Sequence, residues 1–496
     1  MGDGMTSNGT NGWRNPRGGS RDAGLLFLAA LVFRLPSLGD PNLHVDESFY
    51  FMVGQAMHDG YVPYIDIWDR KPFGLFALYY VFAAFSDHVL AYQIPALLCA
   101  AGTAYLLAKI ARLWMSGWGP AMAGVAYLAM LHPLDGFGGQ GPVFYNLLIA
   151  GAAWLVIGGW FEFERRRFVR RYLGAMLLCG FALTIKQTTM FEAIFFGLAG
   201  LYRLHRDGLD TGAIVKTGAA AVAIGLAPTA AVAAWYAAHG WIEEWWQAMF
   251  LSNLARQSLG LAAQSHNLYA VFRLILVFLG CAVLGLAFQL GAPGFARYRG
   301  LMIWWLVAAF LGFAVIANAF THYLLPLLVP LTPLAAIAYG KRLVGPALFA
   351  CTVVVASILG STFDFRHYRD SRTSFWEANE AIRANMEDGR LLLFFGYPLF
   401  YATADGKPMS PLVFPNHLHD PLERDVSHLD TYDEMGRILA DRPEVILTRR
   451  KYASDIDRDI LALVENYTAA NCRIVWEGRL HEPRRLRRPH VVYACD

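Results

Sequence analysis

Between residues 23 and 360 the sequence repeats one pattern, an apolar run of roughly 16–25 residues followed by a short polar break. A run of that length crosses a hydrocarbon core of about 30 Å as a helix, and a water-soluble domain has no use for a series of them. Eleven crossings are expected, near 23–39, 89–111, 119–134, 143–161, 172–187, 189–204, 217–238, 268–290, 301–317, 322–340 and 343–360. Charge is divided accordingly: residues 1–360 carry 40 Asp, Glu, Lys and Arg, whereas the much shorter stretch 361–496 carries 41. The fold class expected is an α-helical multi-pass membrane protein with a C-terminal extracytoplasmic α/β domain.

Two stretches are ambiguous by length. Residues 73–86 form a 14-residue apolar run, and 172–204 could be one overlong helix or two short ones. If the first does not cross and the second crosses twice, 17 basic residues fall on one side, among them Arg14, Arg21, Lys109, Arg112, Arg165, Arg171, Arg203, Arg297 and Lys341. The positive-inside rule makes that side cytoplasmic. Three units follow: a cytoplasmic N-terminal tail (1–22), a transmembrane module (23–360) with a long outer loop at 40–88, and an extracytoplasmic domain (361–496). The first span follows basic residues as a signal peptide would, but SLGDPN lacks a small-residue cleavage pattern and reads as an uncleaved anchor.

In the tail, helical WEANEAIRANMEDG, strand LLLFF, helical YDEMGRILADR, strand EVILT, a helix through 455–468 and strands RIVW and HVVYA describe a small α/β cap. Cys472 and Cys495 flank the last two strands; a hairpin would set them opposite one another, either as a disulfide or as free thiols. Cys99, Cys179, Cys281 and Cys351 lie inside spans and read as small apolar residues. The arginine run 484–490 reads as a solvated turn of that hairpin, with anionic lipid or saccharide as the alternative.

Loop one carries most of the chemistry. In HVDESFYFMVGQAM, Phe49, Tyr50, Val53 and Met57 share a helical face suited to the membrane surface. Asp46 and Glu47 stand in the first turn, either as acids favoured by the helix dipole or as a general base at the membrane boundary. Lys71 precedes Pro72, which reads as the first residue of a helix. An ammonium beside a helix N-terminus suits phosphate, and interfacial snorkelling is the bland alternative. Lys186, at the turn between the fifth and sixth spans, needs water, an anion or Glu192. Arg256 follows a loop rich in tryptophan (Trp241, Trp245, Trp246) that reads as an interfacial belt, and His322 and Tyr323 open the tenth span. Gly136–Gly141 matches GxGxxG but follows a membrane helix instead of a strand, so it reads as a glycine-rich turn. No GxxxxGK[ST] run occurs, no His/Cys cluster has metal-ligand spacing, and nothing points to nucleic acid.

The series FRLPSL, HVDESFY, WDRKPFG, a later KQ, GWIEEWW ahead of SNLARQ, and HYLLPLLVPL resembles the polyprenyl-phosphate-sugar-dependent glycosyltransferases of the GT-C class, the protein O-mannosyltransferase and aminoarabinose transferase group in particular. The resemblance implies a bacterial inner-membrane enzyme with a periplasmic active site. It would move a sugar from a lipid-linked sugar phosphate to a lipopolysaccharide, glycolipid, polysaccharide or protein acceptor, with inversion. It places the catalytic acids on Asp46 and Glu47, with the aspartate as base, and phosphate or substrate contacts on Lys71, Lys186, Arg256, His322 and Tyr323. Relatives often have Glu-Lys-Pro-Pro where this chain has Arg70-Lys71-Pro72-Phe73, and an Asn-Thr-Glu-like run where it has PVFYN (142–146). The missing acids weaken any claim of a metal site, so that a divalent metal stays open, and no other cofactor is expected. A transporter or flippase of lipid-linked saccharides is the rival reading, and a non-catalytic assembly or receptor subunit a third.

Overall fold

A computed structural model describes residues 19–255, 259–287, 292–316, 318–452, 456–481 and 487–496. Its helical body comprises α1 (Gly19–Arg34), α2 (Val45–His58), α3 (Phe73–Ala83), α4 (Leu90–Ala111), α5 (Gly119–Met130), α6 (Gly141–Ile157), α7 (Arg165–Ile185), α8 (Met190–Arg206), α9 (Thr211–Ala238), α10 (Ile242–Trp246), α11 (Ser252–Ala255), α12 (Leu261–Ala287), α13 (Arg299–Ala314), α14 (Leu325–Tyr339) and α15 (Gly345–Leu359). Each apolar run expected to cross contains one of these helices. Among the described residues five are long and apolar enough to span a membrane: α4, α7, α9, α12, and α14 with the 3-10 turn before it. Val222, Leu226, Leu276, Trp304, Phe310, Val354 and Ile358 stand exposed on their outer faces and those of α13 and α15. That much bare apolar surface belongs in lipid, and the body is that of an integral membrane protein.

Both ambiguous stretches have definite helix bounds. The run at 172–204 breaks into α7 and α8 at Lys186 and the 3-10 turn Gln187–Thr189. The run at 73–86 gives the 11 residues of α3. Loop 131–142 is buried throughout. Irregular backbone at such a depth needs partners from the protein itself. Arg34, 2% exposed, supplies two of them, donating to the carbonyls of Gly136 (2.7 Å) and Gly138 (2.8 Å). Tyr79 supplies a third, its hydroxyl donating to Gly139 O at 2.6 Å. A side chain on Gly138 would collide with the Glu47 carboxylate, and one on Gly139 with Tyr79 and Tyr92. The glycines therefore serve close packing, as the rejection of a nucleotide motif requires.

One expectation needs correction. Helix α2 is not a one-sided surface helix: Phe51 and Met52, on its supposed polar face, are as buried as Phe49 and Val53. Its cover comes from both units: Phe51 packs on Tyr79 and Tyr92 of the helical body, with ring centroids 6.5 and 5.2 Å apart. From the C-terminal unit, Leu399 N–H donates to Ser48 Oγ (2.8 Å), and Phe414 packs on Phe49 with ring centroids 5.1 Å apart.

That unit begins with α16 (Phe365–Arg383), followed by α17 (Leu399–Thr403), α18 (Asn416–His419), α19 (Thr431–Ala440) and α20 (Arg458–Asn471) around a five-stranded sheet. The strands β1 (Arg390–Leu393), β2 (Lys407–Pro408), β3 (Val445–Arg449), β4 (Cys472–His481) and β5 (Arg487–Cys495) are ordered β2-β1-β3-β5-β4. Pairs β1/β2 and β1/β3 are parallel, whereas β3/β5 and β4/β5 are antiparallel. Cys472 and Cys495 are opposite one another at the end of the last hairpin and are joined by a disulfide. Of the arginine run, 487–490 belongs to β5; residues 484–486 lie outside the described residues, as do 1–18 of the expected tail.

Contacts between the two units are polar as well as apolar. Asn42 Nδ2 donates to Ser371 O (3.0 Å), Ser371 Oγ to Asp40 Oδ1 (2.9 Å), and Arg372 Nη2 to the carbonyls of Pro36 and Leu38 (2.8 Å each). Trp68 N–H donates to Pro411 O at 2.9 Å.

Two stability experiments follow. Replacing Arg34 with Met would leave two buried carbonyls without their charged donor, and the cost expected is at least about 1.5–3 kcal/mol, read as a fall in Tm of the detergent-solubilised protein. Cys495→Ser is expected to destabilise the C-terminal unit by about 2–4 kcal/mol, read by limited proteolysis and by thiol labelling of Cys472.

Candidate functional site

Loop one, loop 131–142, the turn after α7, the turn before α14 and the C-terminal unit converge on a cavity of about 330 Å³. Its walls include His44, Asp46, Lys71, Asp135, Lys186, His322 and Tyr323, together with Phe414, Asn416, Asp420 and Glu423 from the C-terminal unit. Five of the seven residues singled out in the sequence thus line one space. Glu47 does not, and Arg256 lies outside the described residues.

Asp46 reaches the cavity because α2 begins at its edge. The N-cap is His44, not an acid: in extended backbone conformation it accepts the Asp46 N–H on Nδ1 at 3.1 Å. Asp46, 14% exposed, is left with its carboxylate facing basic groups. Burial pushes that carboxyl up, but the charges of Lys71, His44, His322 and Lys186 outweigh burial and hold it below the usual carboxylate range. It is therefore an anion at neutral pH. The next residue turns the other way. Glu47 is fully buried beneath the glycine loop; burial pushes its carboxyl up to about 8, against the pull of the Gly139 amide and the Arg34 guanidinium. Adjacent acids on a helix point about 100° apart, so one faces the cavity and its neighbour the core.

Lys71 is held by Asp69, which the sequence reading overlooked. Asp69, fully buried, accepts the Lys71 N–H at 2.7 Å, and the ammonium lies 3.3 Å from each of its carboxylate oxygens. His417 Nε2 stands 3.8 Å away on the other side. Pro72 is the N-cap of α3, one position earlier than expected, which puts Lys71 just ahead of the helix, within 5.6 Å of the Tyr50 and Phe414 ring centres. Arg70 forms a bidentate pair with Glu423 and thereby ties loop one to the C-terminal unit.

Lys186 lies over the Tyr323 ring, 5.0 Å from its centre. The anticipated pairing with Glu192 is replaced, since Glu192 accepts the Trp305 indole N–H at 2.8 Å. His322 and Tyr323 stack edge to face in the 3-10 turn Thr321–Leu324. Of the three tryptophans, Trp245 is buried, Trp241 partly so, and Trp246 exposed; none lines the cavity. The residues that sequence reasoning missed here are His44, Asp69 and Asp135. Asp135 carried a local signal in standing directly before a glycine run; the structure sets it at φ 58°, where only a few residue types sit comfortably.

Four cationic or imidazole groups around one carboxylate, open to a space of this size and walled on one side by aromatic rings, can hold a phosphate and deprotonate a neighbouring hydroxyl. Protein-family models and curated protein sequences give no match to the chain. Solved structures do. ArnT from Cupriavidus metallidurans bound to undecaprenyl phosphate superposes with a TM-score of 0.60 at 13% identity, covering 95% of this chain and 98% of that one. The same protein in the apo state gives a TM-score of 0.62 at 13% identity and the same coverage. The chain has the ArnT fold over nearly its whole length.

The burial of Glu47 sets a pH dependence. An unfolded chain loses this proton near pH 4.5 and the folded protein keeps it to about 8, so between those limits the folded state binds more protons. Stability should fall as pH rises through that window. Glu47→Gln is expected to fold and to flatten this decline, which Tm measured at intervals from pH 5 to pH 9 would reveal; an unchanged slope would sink the assignment.

Proposed function

We propose that the chain is a membrane glycosyltransferase that takes a sugar from a polyprenyl-phosphate donor and passes it to an acceptor on the outer side of a bacterial inner membrane. The observation that carries this reading is the single cavity in which the anionic Asp46 faces Lys71 and Lys186. Similarity in fold to a protein solved with undecaprenyl phosphate supports the donor class. Eleven crossings, a cytoplasmic N-terminus (1–22), a transmembrane module (23–360) and a periplasmic cap (361–496) complete the proposed arrangement. The acceptor class stays open among lipopolysaccharide, other glycolipids, polysaccharide and protein.

In this scheme the donor phosphate sits by Lys71 and Lys186 while its prenyl chain lies among the helices. Asp46 takes the proton of an acceptor hydroxyl; the oxygen attacks the anomeric carbon from the face opposite the phosphate. The bond from that carbon to the phosphate oxygen breaks, its electron pair leaves with the phosphate, and the two ammonium groups meet the new charge. The sugar is inverted. Asp69 keeps the Lys71 ammonium aimed, a positioning role, and Glu47 takes no part.

The test is transfer from a panel of radiolabelled polyprenyl-phosphate sugars to membrane extract by purified protein in nanodiscs. Asp46→Asn is expected to lower kcat by about 10²- to 10⁴-fold and Lys71→Ala by about 10²- to 10³-fold, with both variants folded. Because Asp46 is held low, wild-type rate should show no loss of this base between pH 7 and pH 5. Donor binding without transfer, unchanged in Asp46→Asn, would favour a transporter or flippase instead.

A further inference from the structure

His44, Asp135 and His322 come from three segments, 91 and 187 residues apart, and meet at the wall of the cavity. One potential ligand atom from each lies within 4.8 Å of the other two. An ion held at about 2.0–2.2 Å from nitrogen and carboxylate donors draws such atoms somewhat closer, a movement within reach of small side-chain rotations. The two imidazole rings meet edge to face with centroids 5.6 Å apart.

Two features suggest a built site. Asp135 is only 5% exposed, and its backbone holds the left-handed conformation at φ 58° and ψ 22°, which a residue other than glycine adopts at a cost and which clusters at ligand clamps. Its carboxylate is oriented by the Thr321 hydroxyl, which donates to Oδ2 at 2.6 Å, and Thr321 is the immediate neighbour of His322. Such an outer contact is what metal-ligating carboxylates ordinarily have.

We propose that His44, Asp135 and His322 bind a divalent cation of the zinc type, with an open coordination position toward the cavity. Two imidazoles and one carboxylate form the donor set of many zinc sites that keep a place for a further oxygen ligand. The site involves neither Arg70 nor the 142–146 run, where the missing acids had counted against a metal. It also reaches Asp46. In the ion-free ring His44 Nδ1 accepts the Asp46 N–H, so the proton of a neutral ring is on Nε2. His44 thus stands between the proposed ion and Asp46, whose Oδ2 lies 3.8 Å from its Nδ1.

The test counts metal, so its failure is separable from failure of the transfer reading. Tag-free full-length protein in detergent is stripped with chelator, dialysed against Zn²⁺ and measured by inductively coupled plasma mass spectrometry, with Co²⁺ as an optical probe of geometry. Expected are one Zn²⁺ per chain and visible Co²⁺ bands of a low-coordinate nitrogen site. Thr321→Val should weaken Zn²⁺ affinity by about 10- to 100-fold, and His44→Ala or His322→Ala by more. Zinc at background in wild type, or wild-type affinity in the His44→Ala/His322→Ala double variant, overturns the proposal. Should that variant fail to fold, Co²⁺ bound to wild type without those bands overturns it equally, leaving a polar wall with no ion.

Discussion

A guanidinium far from water persists only where oxygen atoms are brought to it, and Arg34 is where this protein does so. It ends α1, lies fully within the structure and holds Gly136 and Gly138 by their carbonyls, with the Glu47 carboxyl nearby. Each of those anchor points is next in sequence, or nearly so, to a cavity residue: Glu47 follows Asp46, and Gly136 follows Asp135. Helix α1, loop one and loop 131–142 are therefore registered against one another by a single side chain, and the cavity inherits that registration. Removing a charged donor from a buried site leaves its acceptors unsatisfied, so the geometry of the acids depends on a residue that touches no ligand.

Around that anchor the cavity has two kinds of wall. The helical body contributes Lys186, His322 and Tyr323 at the ends of helices, where short 3-10 turns interrupt the regular hydrogen bonding. The C-terminal unit contributes Phe414, Asn416, Asp420 and Glu423. Arg70 links the two through Glu423, a partner 353 residues away in the chain.

The helical, apolar character of the body was legible in the sequence because its determinants, run length and hydropathy, are local. The same holds for Asp46, Lys71, Lys186, His322 and Tyr323, each polar where an apolar run begins or ends. What could not be read were pairings between distant segments. Nothing near Lys71 marks Asp69 as its holder in preference to Asp66, and only the folded backbone separates the roles of Asp46 and Glu47. His44 and Asp135 lie in different loops with no shared spacing. The one-sided pattern of α2 was present but incomplete, since its cover comes both from Tyr79 and Tyr92 and from residues 399–414. In the C-terminal unit the main strands and helices follow from alternation and periodicity, whereas the two-residue β2 is too short for either to register.

The span between Arg70 and Glu423 also has a meaning in time. Loop one leaves the ribosome early, yet the residues that cover it, from Ser371 to Glu423, are made more than 300 residues later. At synthesis rates of 5–20 residues per second that is a wait of roughly 15–70 s. Throughout it Phe49 and Trp68, both buried in the finished protein, have no cover from the cap. The nascent chain must carry a half-built site through most of its own insertion, a period in which a holding chaperone or the insertion machinery itself has an apolar loop to protect.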